Sequence, residues 1–124
     1  MDKIEINYDL SREEAIKEAE KKGLKVVIPA DNELQIDIDN IEQLAEFEER
    51  MKYFQTWHDC DIKIRESQSG HPHYHIYVTI KDLNLDLMTR IFLQLFLSSD
   101  AIREFLSYKR LEAGDIHPTL FLEK

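Results

Sequence analysis

The chain has 124 residues, which suffices for one domain with a substantial core and is too short for two of ordinary size. Its hydrophobic fraction of 43% excludes a disordered chain, and the single Cys60 excludes an internal disulfide and multi-cysteine zinc sites. The net charge of −9 argues against a protein that coats nucleic acid through bulk electrostatics. No apolar run could cross a bilayer, and the first residues lack a signal-peptide layout, so we expect a cytoplasmic protein without a membrane partner.

The acidic charge is concentrated in the first half of the chain. Residues 1–60 hold 16 Asp and Glu against 8 Lys and Arg, whereas residues 61–110 hold 6 against 7. Contacts with phosphate groups are therefore expected in the middle of the chain. The cations there are Lys63, Arg65, Arg90, Arg103, Lys109 and Arg110.

Turn residues, helix caps and hydrophobic periodicity divide the chain into nine predicted elements. A capping box formed by Ser11 and Glu14 begins the first helix, and Gly23 ends it. Strict alternation of apolar and polar residues marks the three longest strands. In chain order we predict a helix over 11–22, strands over 24–28 and 34–39, a helix over 40–54, strands over 60–66 and 73–80, helices over 84–97 and 99–110, and a strand over 119–123.

The predicted order of elements indicates an α+β fold. The loop 67–72 is short enough for a hairpin, so at least part of the sheet should be antiparallel. We therefore expect one domain over residues 1–124, with a mainly antiparallel sheet and helices packed on one face.

Each of the three alternating strands separates an apolar face from a polar one, because successive side chains point to opposite sides of a strand. The expected inward residues are Leu34, Ile36 and Ile38, then Ile62 and Ile64, then Tyr74, Ile76, Val78 and Ile80. The expected outward residues are Gln35, Asp37 and Asp39, then Asp61, Lys63 and Arg65, then His73, His75, Tyr77 and Thr79. If the strands are neighbours, carboxylates, cations and imidazoles share one surface.

The outward residues have the chemistry of a metal and phosphate site. Asp37 and Asp39 lie two residues apart on a strand and can share one hard cation, Mg²⁺ or Mn²⁺. His73 and His75 likewise face one way, in an arrangement common at metal and phosphate sites. The loop over 67–70 adds the hydroxyls of Ser67 and Ser69 and a glycine that lets backbone amides approach an anion.

These segments resemble the catalytic core of the archaeo-eukaryotic primase superfamily, which includes phage primase-polymerases. LQIDIDN at 34–40 is similar to the family's Asp-x-Asp strand, and SQSGHPHYHIYV at 67–78 is similar to its Ser-x-His type motif. The resemblance covers residues 24–124 and implies an RRM-like palm. It implies metal ligands at Asp37 and Asp39, phosphate contacts at Ser69 and His75, and metal-dependent nucleotidyl transfer in phage-type DNA replication. The family's third acidic residue has two candidates here, Asp100 and Asp115.

Two alternatives stay open. The first is a catalytically silent palm that binds a nucleotide, a nucleic acid or a protein partner. The second follows from HYHIYV at 73–78, which resembles the histidine motif of HUH rolling-circle nickases. That resemblance implies metal ligands at His73 and His75 and a nucleophile at Tyr108, although Leu111 stands where that family usually has lysine.

Overall fold

The described residues form four helices and five strands, which follow one another in the order that the sequence predicts. The computed structural model describes residues 13–67 and 70–124, so the Ser11 half of the predicted capping box lies outside the described residues. The elements are α1 Glu13–Lys21, β1 Lys25–Val27, β2 Glu33–Ile38, α2 Ile41–Phe54, β3 Cys60–Glu66, β4 Tyr74–Ile80, α3 Leu87–Phe96, α4 Ala101–Glu112 and β5 Phe121–Glu123. Helix α3 begins three residues later than predicted, because Asp86 caps it by accepting from the Thr89 N–H. None of the described helices is long and apolar enough to span a bilayer.

The strands form two antiparallel sheets. Strands β2, β4 and β3 make a three-stranded sheet in that order, and β1 pairs with β5 in a separate two-stranded ribbon. The α+β class is therefore confirmed, and so is the hairpin between β3 and β4. The RRM-like arrangement is not confirmed, because an RRM has a single four-stranded sheet and here the last strand pairs elsewhere.

The core lies between the apolar face of the three-stranded sheet and helices α2 and α3. It is built from Leu34, Ile36, Ile38, Phe47, Met51, Phe54, Ile76, Val78, Ile80 and Leu97. The predicted inward residues of β2 and β4 lie in it or against it. The prediction for β3 is wrong, since Ile62 and Ile64 are 40% and 49% exposed. Strand β3 is the edge strand that the helices do not cover; they pack over β2 and β4.

Within residues 13–67 and 70–124, the outer edge of β2 is held by side chains and not by another strand. The Gln35 N–H donates to Gln94 Oε1 at 2.9 Å, and the Asp37 N–H donates to Ser99 Oγ at 2.9 Å. The Gln35 carbonyl accepts from Arg103 Nη1 at 2.6 Å. Helices α3 and α4 thus satisfy backbone groups that an edge strand otherwise exposes.

Behind this edge lies a buried carboxylate that joins the two helices. Glu104 is 1% exposed and accepts from Gln94 Nε2 at 2.7 Å, Ser99 Oγ at 2.7 Å and Arg103 Nη1 at 2.8 Å. Each of these three donors also contacts the backbone of β2. One hydrogen-bonded network therefore fixes the junction between α3 and α4 against the strand that carries Asp37.

Because of this network, we predict that Gln94→Leu lowers the free energy of unfolding. Leucine has a similar volume, but it leaves the Gln35 N–H and one Glu104 oxygen unpaired in a buried position. An unpaired buried group costs about 1–3 kcal/mol, so the urea midpoint should fall clearly. Gln55→Leu, at an exposed position after α2, should change the free energy of unfolding by less than about 0.5 kcal/mol. Equal midpoints for the two variants would contradict the structural role of the network.

Candidate metal and phosphate site

The register of the three-stranded sheet brings the predicted polar residues into transverse rows. Asp37 of β2 lies opposite His75 of β4, which lies opposite Arg65 of β3. In the neighbouring row, Tyr77 lies opposite Lys63. His75 Nε2 is 3.9 Å from Asp37 Oδ1. The three strands therefore share the polar face that their alternation predicts.

Three aspartates meet at the end of β2. Carboxylate oxygens of Asp37, Asp39 and Asp100 all lie within 4.8 Å of one another, a spacing that could hold a metal ion. Asp100 reaches the pair because its N–H donates to the Asp37 carbonyl at 2.9 Å, while its carboxylate caps α4 by accepting from the Ile102 N–H. Of the two candidates for a third acidic residue, the structure brings Asp100 to the pair, and Asp115 is not part of the cluster.

The sequence around Asp39 leaves its carboxylate available to the cluster. Asn40, not Asp39, caps α2 by accepting from the Gln43 N–H at 2.8 Å. The Gln43 side chain then accepts from the Asp39 N–H at 2.8 Å and donates to the Asp37 carbonyl at 2.7 Å. His73 Nδ1 lies 3.4 Å from Asp39 Oδ1. Helix α2 thus holds the backbone of both aspartates without using their carboxylates.

Burial and the charge of neighbouring carboxylates raise the pKa of Asp37 and of Asp100. Burial is the largest cause of the raised pKa of Asp37; Asp39 and Asp100 raise it further, while Arg103 and His75 oppose the shift. Burial also raises the pKa of Asp100, and the carboxylate of Asp39 adds to this. A divalent cation relieves such repulsion, because it makes the ionised form of each carboxyl favourable.

Strand β5 covers the middle of the polar face. The His75 ring stacks on Phe121, with centroids 3.8 Å apart and planes 3° from parallel, and its Nδ1 is hydrogen-bonded to the buried Glu123 carboxylate. Arg65 Nη1 lies 3.6 Å from the same carboxylate. The centre of the polar face is therefore covered by β5. The predicted contact of His75 with phosphate stays a prediction, for which the Nε2 atom beside Asp37 is the available one.

A cleft opens beside the aspartate cluster, on the side of α4. It has a volume of about 230 Å³, and its lining includes Asp37, His75, Arg103 and Arg110. Arg103 lies 4.4 Å from the Phe121 ring centroid, so this ring is in contact with His75 and with a guanidinium. The sequence indicates only that both arginines belong to a basic region, because no local sequence pattern predicts that α4 faces the end of β2.

The other residues predicted to bind phosphate lie apart from this cleft. Lys63 and Arg65 line a second depression of about 310 Å³, which also includes Tyr77. Burial raises the pKa of the Tyr77 phenol, and the nearby Glu123 carboxylate adds to the shift. The Ser67 N–H donates to the His73 carbonyl at 2.9 Å, while Ser69 lies outside the described residues. This second depression is separate from the cleft, since none of the described residues lines both.

Comparison of the chain with protein-family models, with curated proteins and with solved structures finds no significant match. Function is therefore argued from the geometry of the chain itself.

The raised pKa values of Asp37 and Asp100 predict a pH dependence of stability. Between the ordinary value of 3.8 and the raised values, the folded state binds more protons than the unfolded chain, so these groups lower stability as pH rises through that window. The double variant Asp37→Asn/Asp100→Asn should be more stable than the wild type at neutral pH. Its advantage should shrink as pH falls toward 3.8.

Urea unfolding at a series of pH values measures this difference. Glu48→Gln is the matched control, because Glu48 is an exposed carboxylate on α2 outside the cluster. An advantage of the double variant that is the same at every pH would contradict the raised pKa values of Asp37 and Asp100.

Proposed function

We propose that the protein is a primase-like palm that binds a nucleoside triphosphate or nucleic acid through a Mg²⁺ or Mn²⁺ ion and catalyses nucleotidyl transfer. The observation that supports this most directly is that carboxylate oxygens of Asp37, Asp39 and Asp100 all lie within 4.8 Å of one another. Three carboxylates are a donor set that suits hard cations with oxygen ligands. The proposal places the protein in the cytoplasm, in phage-type DNA replication.

The cluster supports metal binding more strongly than an exposed Asp-x-Asp pair does. Its residues come from the end of β2 and from the start of α4, and hydrogen bonds that join the Asp37 backbone to the Asp100 N–H and the Ser99 hydroxyl hold both segments together. The ligands are therefore positioned before any ion arrives, which lowers the entropic cost of binding. When bound, such an ion polarises phosphoryl oxygens and aligns the attacking and leaving groups.

The cleft beside the cluster supports a phosphate ligand. Arg110 brings positive charge to within the same small space as Asp37, and the guanidinium of Arg103, which pairs with Glu104, also lines it. A volume of about 230 Å³ is below the range of about 300–1,000 Å³ usual for complete small-molecule sites. We therefore assign the cleft to phosphate groups, with the sugar and base of a nucleotide on its open side.

A second candidate function is binding without catalysis. It is favoured by the contacts of His75, whose ring stacks on Phe121 and whose Nδ1 is hydrogen-bonded to Glu123. A palm closed in this way binds a metal and phosphates at its rim, while Glu123 keeps the Nδ1 atom of this imidazole from acting on a substrate. The nickase hypothesis gains no support, since the potential metal cluster among the described residues contains no histidine.

Mn²⁺ should raise the melting temperature of the protein, because a ligand that binds the folded state stabilises it. Each single variant Asp37→Asn, Asp39→Asn and Asp100→Asn should bind Mn²⁺ at least about tenfold more weakly, since even outer-shell partners of a metal cost 10–100-fold in affinity. Asp61→Asn should bind like the wild type. Mn²⁺ affinities that are equal in all four variants, or an absence of any Mn²⁺ effect, would contradict the site.

Nucleotide incorporation separates the two candidate functions. If the palm is active, Mn²⁺-dependent extension of a primed template is lost in Asp37→Asn and Asp100→Asn and is retained in Tyr108→Phe. If it is silent, Mn²⁺ and nucleoside triphosphate still shift the melting temperature, but no extension product forms. Formation of a covalent DNA adduct that Tyr108→Phe abolishes would support the nickase and oppose both.

A further inference from the structure

Strand β3 forms the second edge of the three-stranded sheet, and among residues 13–67 and 70–124 it pairs with β4 alone. The Ser67 N–H donates to His73, and the Lys81 N–H donates to the Asp59 carbonyl. In an antiparallel pair, successive residues direct their backbone N–H and C=O groups alternately toward and away from the partner strand. The odd-numbered residues of β3 therefore bond to β4, and the backbone groups of Ile62 and Ile64 point outward. None of the described helices covers these two isoleucines, which are 40% and 49% exposed.

We propose that β3 pairs antiparallel with β3 of a second copy of this chain, around a two-fold axis at Ile62. The pairing joins two three-stranded sheets into one continuous sheet and satisfies outward backbone groups on both copies. The two exposed strands are identical, so an isologous contact needs no other partner. Asp37, which belongs to the metal site, lies on β2 at the opposite edge, so the inference is independent of the proposed function.

Charge complementarity selects this register. With Ile62 opposite Ile62 of the second copy, Asp61 lies opposite Lys63 of the second copy, and the reverse pair repeats it. Cys60 then opposes Ile64, and Asp59 opposes Arg65, so apolar residues meet apolar ones and opposite charges meet. Opposite charges in cross-strand pairs stabilise a sheet.

The neighbouring registers all place like charges opposite one another. An axis at Lys63 opposes two lysines, and an axis at Ile64 opposes Lys63 to Arg65 twice. An axis at Asp61 opposes two aspartates. Like charges directly opposite are destabilising, so the sequence of β3 disfavours these alternatives. The contact is small, and we expect a dimer that dissociates on dilution.

Sedimentation equilibrium over a wide concentration range tests the charge pairing. Lys63→Asp and Asp61→Lys should each weaken dimerisation at least about tenfold, since two cross-strand pairs per dimer change from attraction to repulsion. The double variant Asp61→Lys/Lys63→Asp should restore association. A protein that stays monomeric at every concentration, or one whose association ignores the single charge reversals, would overturn the proposal.

Cysteine cross-linking tests the register in the Cys60→Ser background. Directly opposed residues have Cα atoms about 5.5 Å apart, which suits a disulfide, so Ile62→Cys should form covalent dimers with a mild oxidant. In the same register, Ile64→Cys residues are offset by four positions, roughly 13 Å, and should remain monomeric. Cross-linking of Ile64→Cys or Lys63→Cys as fast as Ile62→Cys would overturn the proposed axis.

Discussion

The outer edge of β2 is the constraint on which the rest of the structure depends. The backbone N–H and C=O groups on the open side of an edge strand need hydrogen-bond partners. Here the side chains of Gln94, Ser99 and Arg103 provide them. The same arrangement carries the start of α4 to the end of β2, which sets Asp100 against Asp37. Helix side chains occupy this edge, where no further strand of the described part of the chain pairs, and β5 pairs with β1 over the polar face.

The local pattern of the sequence predicts much of the fold. All nine elements occur in the predicted order, and the two-residue alternation over 34–39, 60–66 and 73–80 correctly places the polar side chains of three adjacent strands on one face. Pleating imposes this period whatever the tertiary context. The same period cannot tell how far the helices extend across the sheet, which is why the burial of Ile62 and Ile64 was wrongly predicted.

The site was less predictable, because its parts meet through contacts between distant residues. Asp37 and Asp39 follow from a strand pattern, but choosing Asp100 over Asp115 requires knowing where α4 packs. The buried Glu104 lies on a helix whose apolar pattern gives no sign of a polar interior, and its partners make it tolerable there. Phe121 covers His75 because β5 pairs with β1. A strand of three residues is too short for its sequence to predict which strand it pairs with.

Repulsion among Asp37, Asp39 and Asp100 links this architecture to its proposed chemistry, since the fold holds three carboxylates together that a divalent ion stabilises. The most direct measurement is a crystal of the protein soaked in Mn²⁺ and examined by anomalous scattering. The account predicts a manganese peak between these three aspartates, with the α3–α4 junction still bound to β2. A peak at His73 and His75 instead, or no peak within the cluster, would contradict it.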